Sequence, residues 1–150
     1  MERATTRLED QVCFALYTAS RAVTNLYRPM LDELGLTYPQ YLVMLVLWER
    51  KSITVKDLGA ALQLDTGTLS PLLKRMEANG LVRRRRRPDD ERSVEITLTE
   101  AGAALQGKAR SVPGRLARAL ELTGEELVAL RGTLRRVATT ALDQLVRTEN

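Results

Sequence analysis

Cys13 is the only thiol in 150 residues, and the chain contains no histidine. Without histidine there are no His-based zinc sites, Ser-His-Asp triads or Cys-His dyads. Cys13 is then either a small buried apolar side chain or an oxidisable thiol. Its own helical stripe is Cys13, Tyr17, Ser20, Thr24 and Tyr27, polar and phenolic, beside the apolar Val12/Leu16 stripe. Phenol hydroxyls near a thiol can donate to the thiolate and so favour the reactive form. Tyr17, at i+4, can reach Cys13 along one helix. Tyr27 cannot, because its fourteen-residue separation at about 1.5 Å each spans roughly 21 Å of helix axis. Tyr27 serves Cys13 only from another chain or through a sharp fold.

The second chemistry is cationic. The net charge is +4, and the block from Lys74 to Arg92, with eight cations and four anions, carries all of it. A neutral body with one basic block resembles an electrostatic footprint for a polyanion. Arg83 to Arg87 are consecutive, so on a strand their side chains alternate between two faces. The choice is between a solvated charged face and a hairpin laid against DNA phosphates, its tip in the minor groove. Arg85, Arg87 and Arg92 are the candidate contacts, with the Asp90 carboxylate orienting the Arg92 guanidinium. Upstream, Thr66, Thr68, Ser70, Pro71, Lys74 and Arg75 occupy a face whose small and cationic side chains suit base edges and phosphates.

Elements must hold these residues in place. Apolar residues recur every three or four positions from Leu8 to Met30, which predicts one long amphipathic helix kinked at Pro29 and stopped by Gly35. Thr37 caps a second helix with Pro39 in its first turn. Thr54 caps a short helix, Val55 to Leu62. Gln63-Leu64-Asp65 then connects it to a helix from Thr66 to Asn79, stopped by Gly80. Two short helices joined by about three residues make a helix-turn-helix. Leu69, Leu72, Leu73 and Met76 form the inward stripe of the second. Pro71 requires either a start near Thr68 or a kink. Leu81 to Arg87 and Arg92 to Leu98 read as strands around a Pro88–Glu91 turn, a β-hairpin wing. Thr99 caps a helix to about Leu122. Thr123-Gly124-Glu125-Glu126 has capping-box spacing for a last helix to about Arg147.

The run Leu64-Asp65-Thr66-Gly67-Thr68-Leu69-Ser70-Pro71-Leu72-Leu73-Lys74 resembles the MarR family of transcription regulators. So does Asp90-Glu91-Arg92-Ser93 leading into Leu98-Thr99-Glu100-Ala101-Gly102. The first run is similar to the peroxide-sensing branch of that family. The resemblance implies a sensing cysteine in the first helix, hydrogen-bonded by two tyrosines of the partner subunit, at positions matched here by Cys13, Tyr27 and Tyr38. It also implies a homodimer that binds a pseudo-palindromic operator in double-stranded DNA as a repressor and releases it on oxidation by organic hydroperoxide. With no second cysteine, oxidised Cys13 would be capped by a small-molecule thiol or overoxidised. A helix starting near Leu8 would put Cys13 beyond the first turn, out of reach of the helix dipole. That leaves the tyrosine hydrogen bonds to favour the thiolate.

The expected fold is mainly α with a small β-hairpin, in one 1–150 domain. Residues 8–50 form N-terminal helices with sensor and dimer contacts, 54–98 the winged helix-turn-helix, and 99–147 the C-terminal dimerisation helices. The sensor pocket comprises Tyr17, Tyr27 and Tyr38. No cofactor, metal or catalytic residue is expected, and the chain is not read as an enzyme. No run of 18 apolar residues exists, residues 1–7 lack the apolar core of a signal peptide, and one cysteine suits a reducing compartment, so a cytoplasmic location is expected. One rival keeps the fold and makes Cys13 structural, with a small aromatic or carboxylate ligand releasing the repressor. A thiol peroxidase is the rival from another class, and the five-arginine hairpin argues against it.

Overall fold

Extended backbone at Gln11 (φ −87°, ψ 121°) decides where the first helix begins. The computed structural model describes residues 5–149. Met1–Ala4, part of the stretch read above for a leader, and Asn150 lie outside them. A 3-10 turn, Leu8–Asp10, precedes α1, Val12–Asp32. The Gln11 side-chain Nε2–H donates to the carbonyls of Thr5 (2.8 Å) and Arg7 (3.0 Å), tying the incoming chain back on itself. The helix therefore starts later than the apolar recurrence from Leu8 indicates, and Cys13 is the second residue of its first turn. The expectation that Cys13 lies beyond the reach of the helix terminus is corrected. Pro29 is inside α1, which continues to Asp32. Gly35, at φ +68°, ends it as expected, with the Leu36 N–H on the Leu31 carbonyl at 3.0 Å.

Next comes α2, Tyr38–Arg50, with the Thr37/Gln40 capping box closed in both directions. Its buried Tyr41, Val43, Met44 and Leu47 form the centre of a core shared with Leu58 of α3, Val55–Leu62, and with Leu69, Leu73 and Met76 of α4, Thr66–Ala78. Thr54 caps α3 by accepting from the Asp57 N–H at 3.1 Å. Between the helices Gln63 takes a left-handed conformation (φ +55°), and Asp65 caps α4 by accepting from the Thr68 N–H at 2.6 Å. The helix-turn-helix thus stands where the spacing places it. Because α4 begins at Thr66, Pro71 is in its interior, and Leu72 is only half-buried beside Leu69 and Leu73.

The sheet has three antiparallel strands in the order β1-β3-β2: β1 Ser52–Thr54, β2 Val82–Arg87 and β3 Asp90–Leu98. The sequence reading contained only the hairpin. β1, at three residues, is too short to show a period, yet Ile53 pairs with Ile96 and both are buried. β3 begins at Asp90, so the turn is shorter than the four-residue Pro88–Glu91 expected. The register jumps from Arg86 opposite Val94 to Arg87 opposite Asp90, leaving Glu91–Ser93 bulged.

Thr99 caps α5, Glu100–Ala109, accepting from the Gly102 N–H at 3.0 Å. Instead of one helix to Leu122, the chain breaks and restarts as α6, Val112–Ala119, with Pro113 at its start. Proline has no N–H to continue a helical ladder but is tolerated in a first turn. The last helix, α7, Gly124–Thr148, opens with the Thr123/Glu126 capping box that the spacing predicts. The chain forms two compact units, one up to Arg110 and one from Ser111. In the first, the opening half of α1 is exposed, including Val12, Phe14 and Leu16. In the second, α7 buries none of its residues and exposes Leu130, Leu134, Val137 and Leu145. Among the described residues, no helix is long and apolar enough to cross a membrane.

Candidate thiol site and nucleic-acid interface

Cys13 is a free, exposed thiol in the first turn of α1. A helix N-terminus favours negative charge within that turn. One turn further on, Tyr17 is 60% exposed, and its ring lies 5.2 Å from the Arg21 guanidinium carbon. The other three tyrosines gather at the far end of the helix. The Tyr27 and Tyr38 rings are 5.0 Å apart between centroids, and Tyr41 stands 5.9 Å from Tyr27. Within one chain, therefore, Tyr27 and Tyr38 come together and Cys13 does not join them. Tyr41, which begins the apolar stretch of α2, is not among the sensor-pocket residues expected from the sequence. Its signal was the i, i+3 spacing from Tyr38, which puts both on one face of α2.

Burial, and secondarily the neighbouring Tyr38 and Tyr41 phenols, push Tyr27 up to about 12. Burial also raises Tyr38 and Tyr41. At neutral pH all three remain protonated hydroxyl donors. Behind them the Tyr41 ring meets Trp48 at 6.4 Å, and the Trp48 Nε1–H donates to the Gly102 carbonyl at 2.9 Å. A cavity of about 300 Å3 lies beside Tyr38, lined also by Thr24, Arg28, Asp32 and Leu36.

On α4, Leu69, Leu73 and Met76 are buried, which leaves Thr66, Thr68, Pro71, Lys74 and Arg75 exposed and Ser70 half-exposed. These residues share the outward side of the second helix of the helix-turn-helix. The five arginines of β2 are not equivalent. Arg84 is half-buried and ion-paired with Glu77 of α4 at 3.1 Å, while Arg83, Arg85, Arg86 and Arg87 are exposed. Arg87 also lies 3.4 Å from Asp89. Hydrogen bonds from Arg84 hold the Glu77 carboxyl below its usual range.

Asp90 and Arg92 interact, but not as the spacing suggested. The Asp90 carboxylate accepts the backbone N–H of Arg92 at 3.0 Å and does not hold its guanidinium. Asp90 therefore shapes the bulged backbone at the wing's tip. A groove of about 240 Å3 runs between the helix-turn-helix and the wing, lined by Lys56, Thr66, Ser70, Arg84, Arg92 and Ser93. Its hydroxyls, with Lys56 and Arg92, suit phosphate oxygens, whereas Arg84 is taken up by Glu77. Lys56 was missed because a lone lysine on α3 carries no pattern.

Residues 25–107 match the family described as transcriptional regulator SarA/Rot. The organic hydroperoxide resistance transcriptional regulator of Bacillus subtilis (strain 168) is 52% identical over 128 residues, covering 85% of this chain and 87% of its own length. Reduced AbfR bound to DNA, like AbfR of Staphylococcus epidermidis, is similar at TM-score 0.75 and 35% identity, covering 91% of this chain and 95% of its own. AbfR is also solved bound to DNA in its overoxidised form. A mutant of MarR from E. coli, complexed with operator DNA, is similar at TM-score 0.74 and 28% identity, covering 82% of this chain and 90% of its own. With its winged helix-turn-helix and a relative this similar along most of its length, the chain belongs to the MarR family of transcription regulators.

Proposed function

We propose that this chain is a homodimeric repressor that releases a pseudo-palindromic operator when an organic hydroperoxide oxidises Cys13. The carrying observation is the separation within one chain of an exposed first-turn thiol from a phenol pair at the far end of the same helix. Two copies related by a two-fold axis, with their first helices antiparallel, bring the Tyr27 and Tyr38 hydroxyls of one to the Cys13 of the other. The thiol attacks the peroxide, giving the sulfenic acid and an alcohol. A small-molecule thiol then condenses with the sulfenic acid, forming a mixed disulfide and water. Overoxidised AbfR is seen on DNA, which favours the thiol-capped form as the one that lets go. One cysteine is consumed per signal, so the chain is a regulator and not a turnover enzyme. Such a role belongs in the bacterial cytoplasm.

In this reading Thr66, Thr68, Ser70, Pro71, Lys74 and Arg75 enter the major groove while Arg85, Arg87 and Arg92 follow phosphates and the minor groove. Asp90 keeps the wing tip in shape for that contact. The cavity beside Tyr38, with Arg28 on its wall, favours a second reading in which a small carboxylate or aromatic ligand releases the DNA.

Cys13→Ser separates the two. Serine keeps the size and a hydrogen-bonding group but cannot form a sulfenic acid. We expect Cys13→Ser to bind operator within about twofold of the parent, since Cys13 is exposed and a near-isosteric surface substitution changes little. It should stay bound in organic hydroperoxide plus thiol, read by fluorescence anisotropy. Release by peroxide from Cys13→Ser would refute the sensor.

A further inference from the structure

We infer that Glu77 is a positioning residue that locks the wing onto the recognition helix α4, and so sets how sharply the protein distinguishes its operator from other DNA. The inference rests on the DNA-regulator reading above.

An acid in the last turns of α4, inside the strongly basic block of the sequence, is out of place on electrostatic grounds. It repels the phosphates that its neighbours attract. Its hydrogen bonds explain its presence. β2 is an edge strand in the order β1-β3-β2, and Arg84 pairs with Ile96 so that its backbone N–H points away from the sheet. Glu77 Oε2 accepts that N–H at 2.9 Å. Arg84 Nε and Nη2 both donate to Glu77 Oε1 at 3.1 Å. One carboxylate thus holds both the backbone and the side chain of the same wing residue, and no swing of the wing keeps all three bonds.

The pair also occupies an informative place. Arg84 lines the groove between helix and wing together with Thr66, Ser70 and Arg92. At the wing's root, the Leu81 N–H donates to the Met76 carbonyl at 3.0 Å and the Thr99 N–H to the Leu81 carbonyl at 3.1 Å. The root is a pivot formed by backbone bonds, and Glu77–Arg84 is a strut set further along the strand. Its length fixes the spacing between the face that reads bases and the arginines that follow the backbone. Arg84 is accordingly the one arginine of the five whose charge is spent on α4.

The experiment uses the full chain, a duplex that the wild-type protein enriches from a random-sequence pool, and a shuffled duplex of equal length. Charge alone predicts that Glu77→Gln tightens binding to both duplexes. The strut predicts instead that the ratio of affinities falls about tenfold, comparable to one or two mismatched base pairs, with the shuffled duplex bound as well or better. Arg84→Gln should lower the ratio similarly, and the double variant should be no worse than either single one. Arg84→Gln should also leave the salt slope unchanged, whereas losing a phosphate contact removes about one unit.

Hydrogen exchange on the wild-type protein needs no variant to fold. The Arg84 amide should exchange slowly, unlike the Arg86 amide, which points to the same open edge. Equal exchange of the two amides, a ratio unchanged in Glu77→Gln, or a slope lowered in Arg84→Gln each overturns the strut. A wild-type chain that enriches no sequence overturns the DNA-regulator reading and this inference with it.

Discussion

Side chains of the same type do different work here, and their surroundings decide which. Tyr17 is exposed against Arg21, whereas the half-buried Tyr27 and Tyr38 cluster with the buried Tyr41, and there the phenols resist ionisation. A protonated phenol is what a thiolate needs as a donor, so the cluster is suited to serve a Cys13 that reaches it from another copy. Tyr27→Phe keeps the ring packing and removes only that donor. In heterodimers with a single Cys13, placing Tyr27→Phe in the chain that also carries Cys13→Ser should slow thiol oxidation about tenfold or more, the cost of one hydrogen bond to a charged group. Placing it in the chain that retains Cys13 should leave the rate near normal. Stopped-flow oxidation of the lone thiol reads the difference, and equal rates would mean the phenols do not act across the dimer. Cys13, Tyr17, Tyr27 and the arginines stood out as candidates by type, while Tyr38 became one only through the family resemblance. The contacting atoms were not legible: Asp90 and Arg92 do meet, but through a backbone N–H that spacing alone could not distinguish from a guanidinium.

Among the elements, helix caps were read correctly because a cap and its partner lie three residues apart. Thr37, Thr54, Thr99 and Thr123 all accept the N–H that their spacing predicts. The start of α1 was misread because apolar residues recur through Leu8 even though the backbone at Gln11 is extended. The helix after Thr99 is shorter than expected, because Pro113 starts a new helix and cannot continue the old one. Gly102 shows a constraint of the opposite kind, one that no periodicity reveals. A Cβ there would stand 2.2 Å from the Leu81 carbonyl oxygen, at the root of the wing, where the Gly102 carbonyl also receives the Trp48 indole. Gly102→Ala should therefore cost about 1–3 kcal/mol, the usual penalty of overpacking, seen as a lower urea midpoint. Gly107→Ala, in the same helix with open space around it, should be neutral or stabilise by up to about 1 kcal/mol. Similar midpoints for the two variants would remove the close approach from the account of the wing.

At the scale of the molecule, apolar side chains in each unit lack cover from the single chain. Leu130, Leu134, Val137 and Leu145 recur along one side of α7, and Val12 and Leu16 along α1. A surface of this kind marks an interface. Sedimentation equilibrium at micromolar concentration should give a dimer. Leu134→Glu should produce monomer and, with it, a large loss of operator affinity, because two recognition helices must reach successive major grooves about one turn apart. A stable monomer of the parent chain that still binds operator tightly would exclude the dimeric regulator.

The sequence by itself determined what depends on neighbours within a turn or two: helix caps, the helix-turn-helix boundaries and the hairpin after it. Local hydrogen bonds close between residues three or four apart, so they leave a spacing that can be read. Tertiary structure alone decided the pairings between distant segments. Ile53 met Ile96, making a third strand of three residues, and Tyr41 met Trp48, which in turn met Gly102. Five consecutive arginines look alike in a sequence. Strand alternation put Arg84 and Arg86 on one face, but only Arg84 met Glu77 of α4 within hydrogen-bonding reach, and the other four stayed exposed.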